Sequence, residues 1–283
     1  MIIIMPELPE VQTVVSQVDR EISGWSIEDI TYVESKMLQP DPDTFISHVN
    51  TAMIESVGRL AKVIALRLRL NNGESGVVLI HLKMTGRLLV REVMDEDDPY
   101  TQVVFTLKSG AGEYKQLRYT SARKFGYVKY LSTDAFDKLR EQSYGPDTYT
   151  ELELEEFKSI LSNRTKKVKD VIMDQSLMTG VGNIYANDAL WFARILPNRK
   201  AKTLSKKEAE RLLLALKDVL REGLRKGGAS DNWFRDAHGN KGSYQENFKI
   251  YGKKGEPCSR CGTIVKYEKI GGRGTFYCEV CQK

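Results

Sequence analysis

Four cysteines constrain this chain more than any other feature, because all of them lie within its last 26 residues. Cys258 and Cys261 form one C-x2-C pair, and Cys278 and Cys281 form a second pair after sixteen intervening residues. Two such pairs can direct four thiolates at one point, which is the ligand geometry of a structural zinc site. The spacing therefore predicts one zinc ion with no open coordination position. Iron held by four thiolates is the main alternative metal, and two disulfide bonds are the alternative without a metal.

The residues between the two cysteine pairs predict a β-hairpin around Gly271-Gly272. So short a segment cannot bury a core of its own, and a bound metal would supply much of its stability. Disulfides are typical of exported proteins, whereas Met1–Met5 lacks the basic segment of a signal peptide. No apolar run approaches the ~18 residues that a membrane helix needs. We therefore expect a cytoplasmic protein without a membrane segment.

The length and the charge distribution indicate two parts with different surfaces. A chain of 283 residues with 41% apolar residues can support about two domains and is not typical of disordered proteins. Residues 1–150 carry 17 basic and 21 acidic side chains, and residues 151–283 carry 26 basic and 17 acidic ones. The positive second half is compatible with nucleic-acid binding, although a solvated lysine-rich surface would have the same composition.

The hydrophobic pattern is helical at the start and then changes to short strands. Residues 9–23 predict an amphipathic helix, because valines recur with a period near 3.6. From Ser26 to about Tyr130, short β-rich runs separated by turn residues predict a β-sandwich or barrel. The clearest runs are 52–57, 62–70, 76–82, 87–92, 102–108, 115–120 and 126–131.

Helix signals dominate the second half after a predicted linker at 141–150. Capping residues and glycines predict four helices there. The first is capped by Thr150 and Glu153 and ends near Ser162, the second covers 167–176, the third begins near Asn183 after the turn Met178–Gly182, and the fourth is capped by Ser205 and Glu208 and stops at Gly227-Gly228.

Several side chains in turns have both an ordinary and a functional interpretation. Met84 and Phe125 could be core residues, and Lys62 and Arg123 could be solvated cations. Together, Met84, Arg123 and Phe125 could instead form a wedge that enters a DNA duplex and unstacks its bases. Asn183 at a helix N-terminus could bind a phosphate, although simple helix packing would explain the same sequence.

Motifs along nearly the whole chain resemble those of bacterial formamidopyrimidine-DNA glycosylases. They are Met5–Val11 (MPELPEV), His81–Gly86, Arg123–Gly126, Asp174–Ala186, Ile250–Lys253 and, inside the cysteine segment, Gly272–Thr275. The resemblance implies an α+β multidomain fold: an N-terminal β-sandwich with a flanking helix, then a helical helix-two-turn-helix domain with a zinc finger hairpin. The domains would be a catalytic domain at 6–135, a linker at 136–150, a helix-two-turn-helix domain at 151–228, a base-recognition loop at 229–249 and the finger at 250–283.

The resemblance also implies an activity and its residues. The chain would be a bifunctional glycosylase and abasic-site lyase of base excision repair, a monomer that excises 8-oxoguanine and formamidopyrimidines from damaged duplex DNA. Pro6 would be the nucleophile, Glu7 the acid and base, and Lys62 a contact to phosphate and to the lesion site. The DNA contacts would come from Met84, Arg123, Phe125, Lys169, Asn183 and Arg273. Leu8 differs from the Gly of the sister endonuclease VIII group, which favours oxidised purines over oxidised pyrimidines.

The implied chemistry requires Pro6 as the first residue. An α-amine has a pKa of about 7.7–8, so that a useful fraction is a neutral nucleophile at physiological pH. Inside a chain, the proline nitrogen belongs to a tertiary amide and cannot react. We therefore expect translation from Met5 followed by removal of this methionine. A zinc-dependent DNA-binding protein without enzymatic activity is the alternative, because a blocked Pro6 would leave binding intact.

Overall fold

The computed structural model describes residues 5–230 and 233–283. These residues form two compact units, each of which contains two stretches of the chain. The first unit comprises residues 5–142 and 227–243, and the second comprises Ser143–Lys226 and Tyr244–Lys283. None of the helices in the described ranges is both long and apolar enough to cross a membrane.

Within the described residues, the first unit contains three α-helices, a 3-10 turn at Ser35–Met37 and nine strands. The helices are α1 (Leu8–Ile22), α2 (Pro42–Val49) and α3 (Thr133–Ser143). The strands are β1 (Ser26–Tyr32), β2 (Leu38–Gln39), β3 (Met53–Leu60), β4 (Val63–Arg69), β5 (Ser75–His81), β6 (Gly86–Glu92), β7 (Thr101–Lys108), β8 (Tyr114–Ser121) and β9 (Tyr127–Ser132). All seven runs named from the sequence are confirmed as strands, with ends shifted by up to three residues.

The nine strands form one continuous sheet in the order β2-β9-β5-β4-β3-β1-β7-β8-β6. Neighbouring strands in this sheet are antiparallel, except that β2 pairs in parallel with β9. The hydroxyl of Tyr119 in β8 donates to the carbonyl of His81 in β5 at 3.3 Å, although four strands separate β5 and β8 in the sheet order. The sheet therefore folds over onto itself, and side chains from both of its halves share one apolar core. The predicted fold class is confirmed.

Helix α1 covers this core, as its valine pattern predicts. Val11, Val14, Val18 and Ile22 have no exposed surface. The Asp19 carboxylate accepts the Val57 N–H at 2.7 Å and so ties α1 to β3. This helix is important for the site because it begins two residues after Pro6.

The second unit contains two 3-10 turns, four α-helices and one hairpin. The α-helices are α4 (Leu154–Ser162), α5 (Val168–Ile172), α6 (Asn183–Phe192) and α7 (Lys206–Arg225), and the hairpin strands are β10 (Lys266–Ile270) and β11 (Arg273–Tyr277). The predicted cap of α7 is confirmed, since Ser205 Oγ accepts the Glu208 N–H and the Glu208 carboxylate accepts the Ser205 N–H. The predicted Thr150 cap is wrong, because α4 begins at Leu154 and Thr150 Oγ1 donates to Asp147 instead. The second helix is shorter than predicted, and the hairpin around Gly271-Gly272 is confirmed.

Candidate active site and nucleic-acid interface

Pro6, the predicted nucleophile, lies in the buried segment just before α1. Pro6 is buried, and Glu7 is only 3% exposed. Glu10, one turn into the helix, is completely buried. Its Oε2 accepts the Glu7 N–H at 2.8 Å, and its Oε1 accepts the Ala229 N–H at 2.6 Å. One carboxylate thus fixes the turn that carries Pro6 and Glu7 and binds the distant segment that begins at residue 227.

The connection at Ala229 depends on a glycine. Gly228 has a φ of +82°, and a Cβ there would lie 2.8 Å from both Cγ and Oε1 of Glu10. Any other residue would be strained and would push against the carboxylate. The sequence pattern suggested only that Gly227-Gly228 ends a helix, whereas the structure adds a contact with the start of the chain.

Lys62 lies in the two-residue connection between β3 and β4. Leu60 pairs with Val63, and Ala61 takes a φ of +55°. Arg59 braces this turn, since its Nη1 donates to the Ala61 carbonyl at 2.7 Å and its Nε donates to Gln12 of α1 at 3.1 Å. A tight, braced turn gives the Lys62 side chain a fixed starting point on the surface of the sheet.

The imidazole of His81 lies close enough to Lys62 to be affected by its positive charge. Burial lowers its pKa to about 3, and the positive charges of Lys83 and Lys62 lower it in the same direction. Its Nδ1 lies 3.0 Å from the Lys83 N–H, which donates to it. The ring is therefore neutral, with its proton on Nε2. His81 belongs to a motif quoted from the sequence, but no role was predicted for it.

Arg123 contacts both of the other predicted wedge residues. The Arg123 guanidinium lies 3.6 Å from Met84 Sδ, and its Cζ lies 4.9 Å from the centre of the Phe125 ring. Phe125 is 55% exposed, which excludes the interpretation as a core residue. The result is a compact apolar and cationic cluster at the ends of β5 and β8, here called the wedge cluster (Met84, Arg123, Phe125).

Hydrogen bonding and close packing fix the turns of the wedge cluster. The Arg123 N–H donates to Thr85 Oγ1 at 3.0 Å, which joins the two turns. Gly126 packs so closely against the Tyr119 hydroxyl and the His81 carbonyl that a Cβ would overlap with both. The side chains of the wedge cluster therefore project from a rigid base.

The second unit carries the other predicted DNA contacts. Asn183 is partly exposed at the first turn of α6, where N–H groups without a helical acceptor favour an anion. Arg273 is exposed at the start of β11. Asn187 joins these two elements, because its Oδ1 accepts the Phe276 N–H of β11 at 2.8 Å and its Nδ2 donates to the Asn183 carbonyl at 2.6 Å.

Lys169 differs from the other predicted contacts. Its side chain has no exposed surface, and its Nζ donates to the Gly274 carbonyl at 3.0 Å and to Thr275 Oγ1 at 2.7 Å. In this arrangement the ammonium group cannot reach a phosphate. It binds instead to the strand that carries Arg273.

The four cysteines converge as predicted. All four are free thiols, and their Sγ atoms lie within 4.8 Å of one another, with 3.5 Å between Cys261 and Cys278. A tetrahedral zinc site with Zn–S distances of about 2.3 Å places its sulfurs about 3.8 Å apart, which these positions fit. Hydrogen bonding with Thr263 lowers the pKa of the Cys261 thiol to about 6, whereas burial raises the pKa of the Cys278 and Cys281 thiols, so the assignment of a metal site rests on the positions of the four sulfurs. The residues therefore form a site for one zinc ion.

A folded nine-stranded sheet, a set of four helices and a four-cysteine hairpin together define a multidomain protein with a zinc finger. The chain matches the family model of the formamidopyrimidine-DNA glycosylase N-terminal domain at residues 5–128, that of the formamidopyrimidine-DNA glycosylase H2TH domain at 144–234, and that of a zinc finger found in FPG and IleRS at 255–283. The chain belongs to the formamidopyrimidine-DNA glycosylase family of DNA repair enzymes.

Individual relatives agree with this assignment over their full length. The formamidopyrimidine-DNA glycosylase of Pelotomaculum thermopropionicum is 36% identical over 282 residues, which cover 99% of each chain. A crystal structure of a variant of the Lactococcus lactis enzyme bound to DNA containing Fapy-dG is 28% identical, with a TM-score of 0.87 and coverage of 98% of this chain and 100% of that one. The structure of a protein named MutM with DNA containing carbocyclic 8-oxo-G is 28% identical, with a TM-score of 0.85 and 98% and 100% coverage.

Several residues that shape the site were not predicted. Glu10 could have been found, because it stands three residues after Glu7 at the position of a capping-box acid. Asn187 and Trp191 follow Asn183 at intervals of four on α6 and could have been recognised as one helix face. Each of the three also has a partner far away in the sequence, at Ala229, Phe276 and Cys258 respectively, and no short stretch of sequence indicates these contacts.

Proposed function

We propose that this protein is a bifunctional DNA glycosylase and abasic-site lyase that excises 8-oxoguanine and formamidopyrimidines from duplex DNA. The observation that carries the proposal is the wedge cluster. Three side chains from two turns are joined through Arg123 on a rigid base and remain partly exposed. A glycosylase must extrude its target nucleotide from the stack, and the wedge cluster has the chemistry to occupy the space that is left.

In this proposal Phe125 and Met84 replace the stacking of the extruded base, and Arg123 offers N–H donors to its orphaned partner. Lys62 contacts the phosphate and the lesion site. Asn183 and Arg273 bind phosphates around the extruded nucleotide through a helix N-terminus and a guanidinium. The support for Lys169 as a phosphate contact is weaker than for these two, because it is buried. We assign it to the support of the hairpin that carries Arg273.

The chemical step belongs to Pro6 and Glu7. The neutral amine of an N-terminal Pro6 attacks C1′ of the extruded nucleotide, and the bond between C1′ and the base breaks as the base takes up a proton. Opening of the sugar ring then gives an iminium ion between Pro6 and C1′. The iminium acidifies the hydrogen on C2′, so that loss of this proton expels the 3′ phosphate, and a further elimination expels the 5′ phosphate. Glu7 carries protons in these steps.

The zinc ion would be held by Cys258, Cys261, Cys278 and Cys281 in a closed site of four thiolates. Such a site supplies structure rather than a reactive metal-bound water. The chain's contribution is to present the hairpin with Arg273 at its tip.

The test uses two forms of the protein, one that begins at Pro6 and one that retains residues 1–5. Each is incubated with a duplex carrying one 8-oxoguanine opposite cytosine, and sodium borohydride is added to reduce an iminium ion to a stable covalent bond. We expect a protein–DNA adduct with the first form and none with the second, because its Pro6 nitrogen is an amide. A parallel binding measurement shows whether the second form still binds the duplex.

The outcomes separate the competing functions. Binding by both forms with no adduct from either would indicate a DNA-binding protein without lyase activity. An adduct from the form that retains residues 1–5 would refute Pro6 as the nucleophile. A parallel duplex with an oxidised pyrimidine distinguishes the two classes of substrate, and sedimentation of the free protein tests the expectation of a monomer.

A further inference from the structure

The last turn of α6 places an indole directly against one of the four thiols. Trp191 is 6% exposed, and its Nε1 lies 3.4 Å from Cys258 Sγ. Above one face of the ring, the Arg260 guanidinium carbon lies 3.8 Å from the ring centroid, and Nη1 of this arginine donates to the Trp191 carbonyl at 3.1 Å. The indole thus contacts a sulfur acceptor at its N–H edge and a cation at one face.

The chemistry of these groups defines the direction of the contact. An indole N–H is a donor only, and a buried donor needs an acceptor. Cys258 is 3% exposed, so little water can replace the indole at the sulfur. Once the sulfur is a metal-bound thiolate, it carries negative charge and accepts a stronger hydrogen bond. The cation on the ring face draws electron density from the indole and strengthens its N–H as a donor.

The same helix face also holds the hairpin. Asn183, Asn187 and Trp191 recur every four residues, so they lie along one side of α6. Asn187 accepts the Phe276 N–H of β11, whereas Trp191 reaches the first cysteine pair. Helix α6 therefore contacts both the hairpin strand and the turn that supplies two metal ligands.

We propose that Trp191 is an outer-sphere ligand of the zinc site: its N–H holds the Cys258 thiolate, slows the loss of the metal and fastens the C-terminal end of α6 to the first cysteine pair. Arg260 positions the indole by stacking on one face of the ring, while the thiolate lies at its N–H edge. This inference concerns the metal site alone and stands independently of the proposed reaction on DNA.

The first test measures zinc release from the full-length, zinc-loaded protein with a chromophoric chelator. Trp191→Phe keeps an aromatic ring but removes the N–H donor. Loss of an outer-shell partner typically costs 10–100-fold in metal affinity, so we expect release at least about 10-fold faster than in the wild type. Trp25→Phe is the matched control, because Trp25 packs against the core of the first unit, and its release rate should equal that of the wild type. Equal release rates in folded Trp191→Phe and wild type would overturn the proposal.

The second test needs no substitution and so does not depend on the folding of a variant. The wild-type protein is loaded with cadmium-113, and the indole N–H protons are observed by NMR. A hydrogen bond from N–H to a metal-bound sulfur transmits a scalar coupling between the proton and cadmium. We expect one indole proton to show this coupling and slow exchange with solvent. Absence of the coupling from every indole proton would overturn the proposal.

Discussion

The buried ammonium group of Lys169 leads to the sharpest prediction, because the resemblance and the geometry give it different roles. The resemblance implies a DNA contact, whereas the structure gives Lys169 no exposed surface and two acceptors on β11, the Gly274 carbonyl and the Thr275 hydroxyl. We consider the substitution Lys169→Met, which keeps the length of the side chain and removes its donors. If Lys169 supports the hairpin, it affects DNA only through Arg273.

The size of the effect on stability follows from the two bonds. A hydrogen bond to a charged group contributes about 1.5–3 kcal/mol, but the methionine also escapes the cost of burying a charge. These opposing contributions leave an expected loss of about 1–3 kcal/mol in the free energy of unfolding. Thermal or urea unfolding of the zinc-loaded protein measures it. Lys138→Met is the control, because Lys138 is an exposed lysine of α3 and its loss should change stability by less than about 0.5 kcal/mol.

The salt dependence of the affinity for a DNA duplex measures the role of Lys169 in DNA binding. Each phosphate neutralised by the protein adds about 0.9 to the slope of log affinity against log salt concentration. Arg273→Ala should therefore reduce the slope by about 0.9. The double variant Lys169→Met, Arg273→Ala should have the same slope as Arg273→Ala alone. A lysine that only supports the hairpin no longer affects DNA binding once the Arg273 contact is gone.

A direct contact would give a different result. If Lys169 binds a phosphate of its own, the double variant loses a second increment of about 0.9 in the slope. That result would refute the supporting role and would mean that the ammonium group leaves its two acceptors when DNA binds. Unchanged stability of the single variant would contradict a stabilising contribution from the two hydrogen bonds of Lys169.

Three further predictions concern the rest of the molecule. Gly126→Ala should lower the free energy of unfolding by about 1–3 kcal/mol in denaturant titrations, because the added methyl group overlaps with the Tyr119 hydroxyl and the His81 carbonyl. As pH falls from about 6.5 to about 3, His81 takes up a proton in the unfolded chain but stays neutral in the folded protein, where it is buried beside Lys62 and Lys83. The free energy of unfolding should therefore fall by up to about 1.4 kcal/mol per pH unit in this range. His81→Gln should remove this part of the pH dependence, and an unchanged profile in this variant would contradict the prediction. Zinc removal by a chelator should abolish the circular dichroism of the hairpin and DNA binding together, and both should return with added zinc.

Features determined by a few neighbouring residues could be predicted from the sequence. The two C-x2-C pairs and the Ser205 cap of α7 depend on local spacing, and the structure contains both. The Thr150 cap has the same local pattern and is wrong. There, the Asp147 carboxylate accepts hydrogen bonds from the Thr150 hydroxyl and from the backbone N–H groups of Tyr149 and Thr150, all of which precede α4. Local rules identify groups that can bond, but they do not decide between competing partners.

Elements determined by distant partners were harder to predict. Strand β1 was not among the clearest runs and alternates weakly, yet it pairs with β7 along most of its length. Helices α2 and α3 were not predicted at all. The burial of Lys169 could not be inferred either, because its acceptors lie more than a hundred residues further along the chain. In each case the stabilising contact is absent from any short window of the sequence.

The segment at 227–243 shows how distant contacts define the candidate site itself. It returns to the first unit after the helices of the second, and Glu10 accepts its Ala229 N–H beside the turn that carries Pro6. Further along, Gln17 of α1 donates to the Asp236 carboxylate at 3.0 Å and accepts the Ala237 N–H at 2.9 Å. The predicted base-recognition loop is therefore attached to α1 at Ala229, through Glu10, and at Asp236 and Ala237, through Gln17. Substitution of Glu10 or Gln17 by an apolar residue would remove the hydrogen bonds that hold this segment to α1.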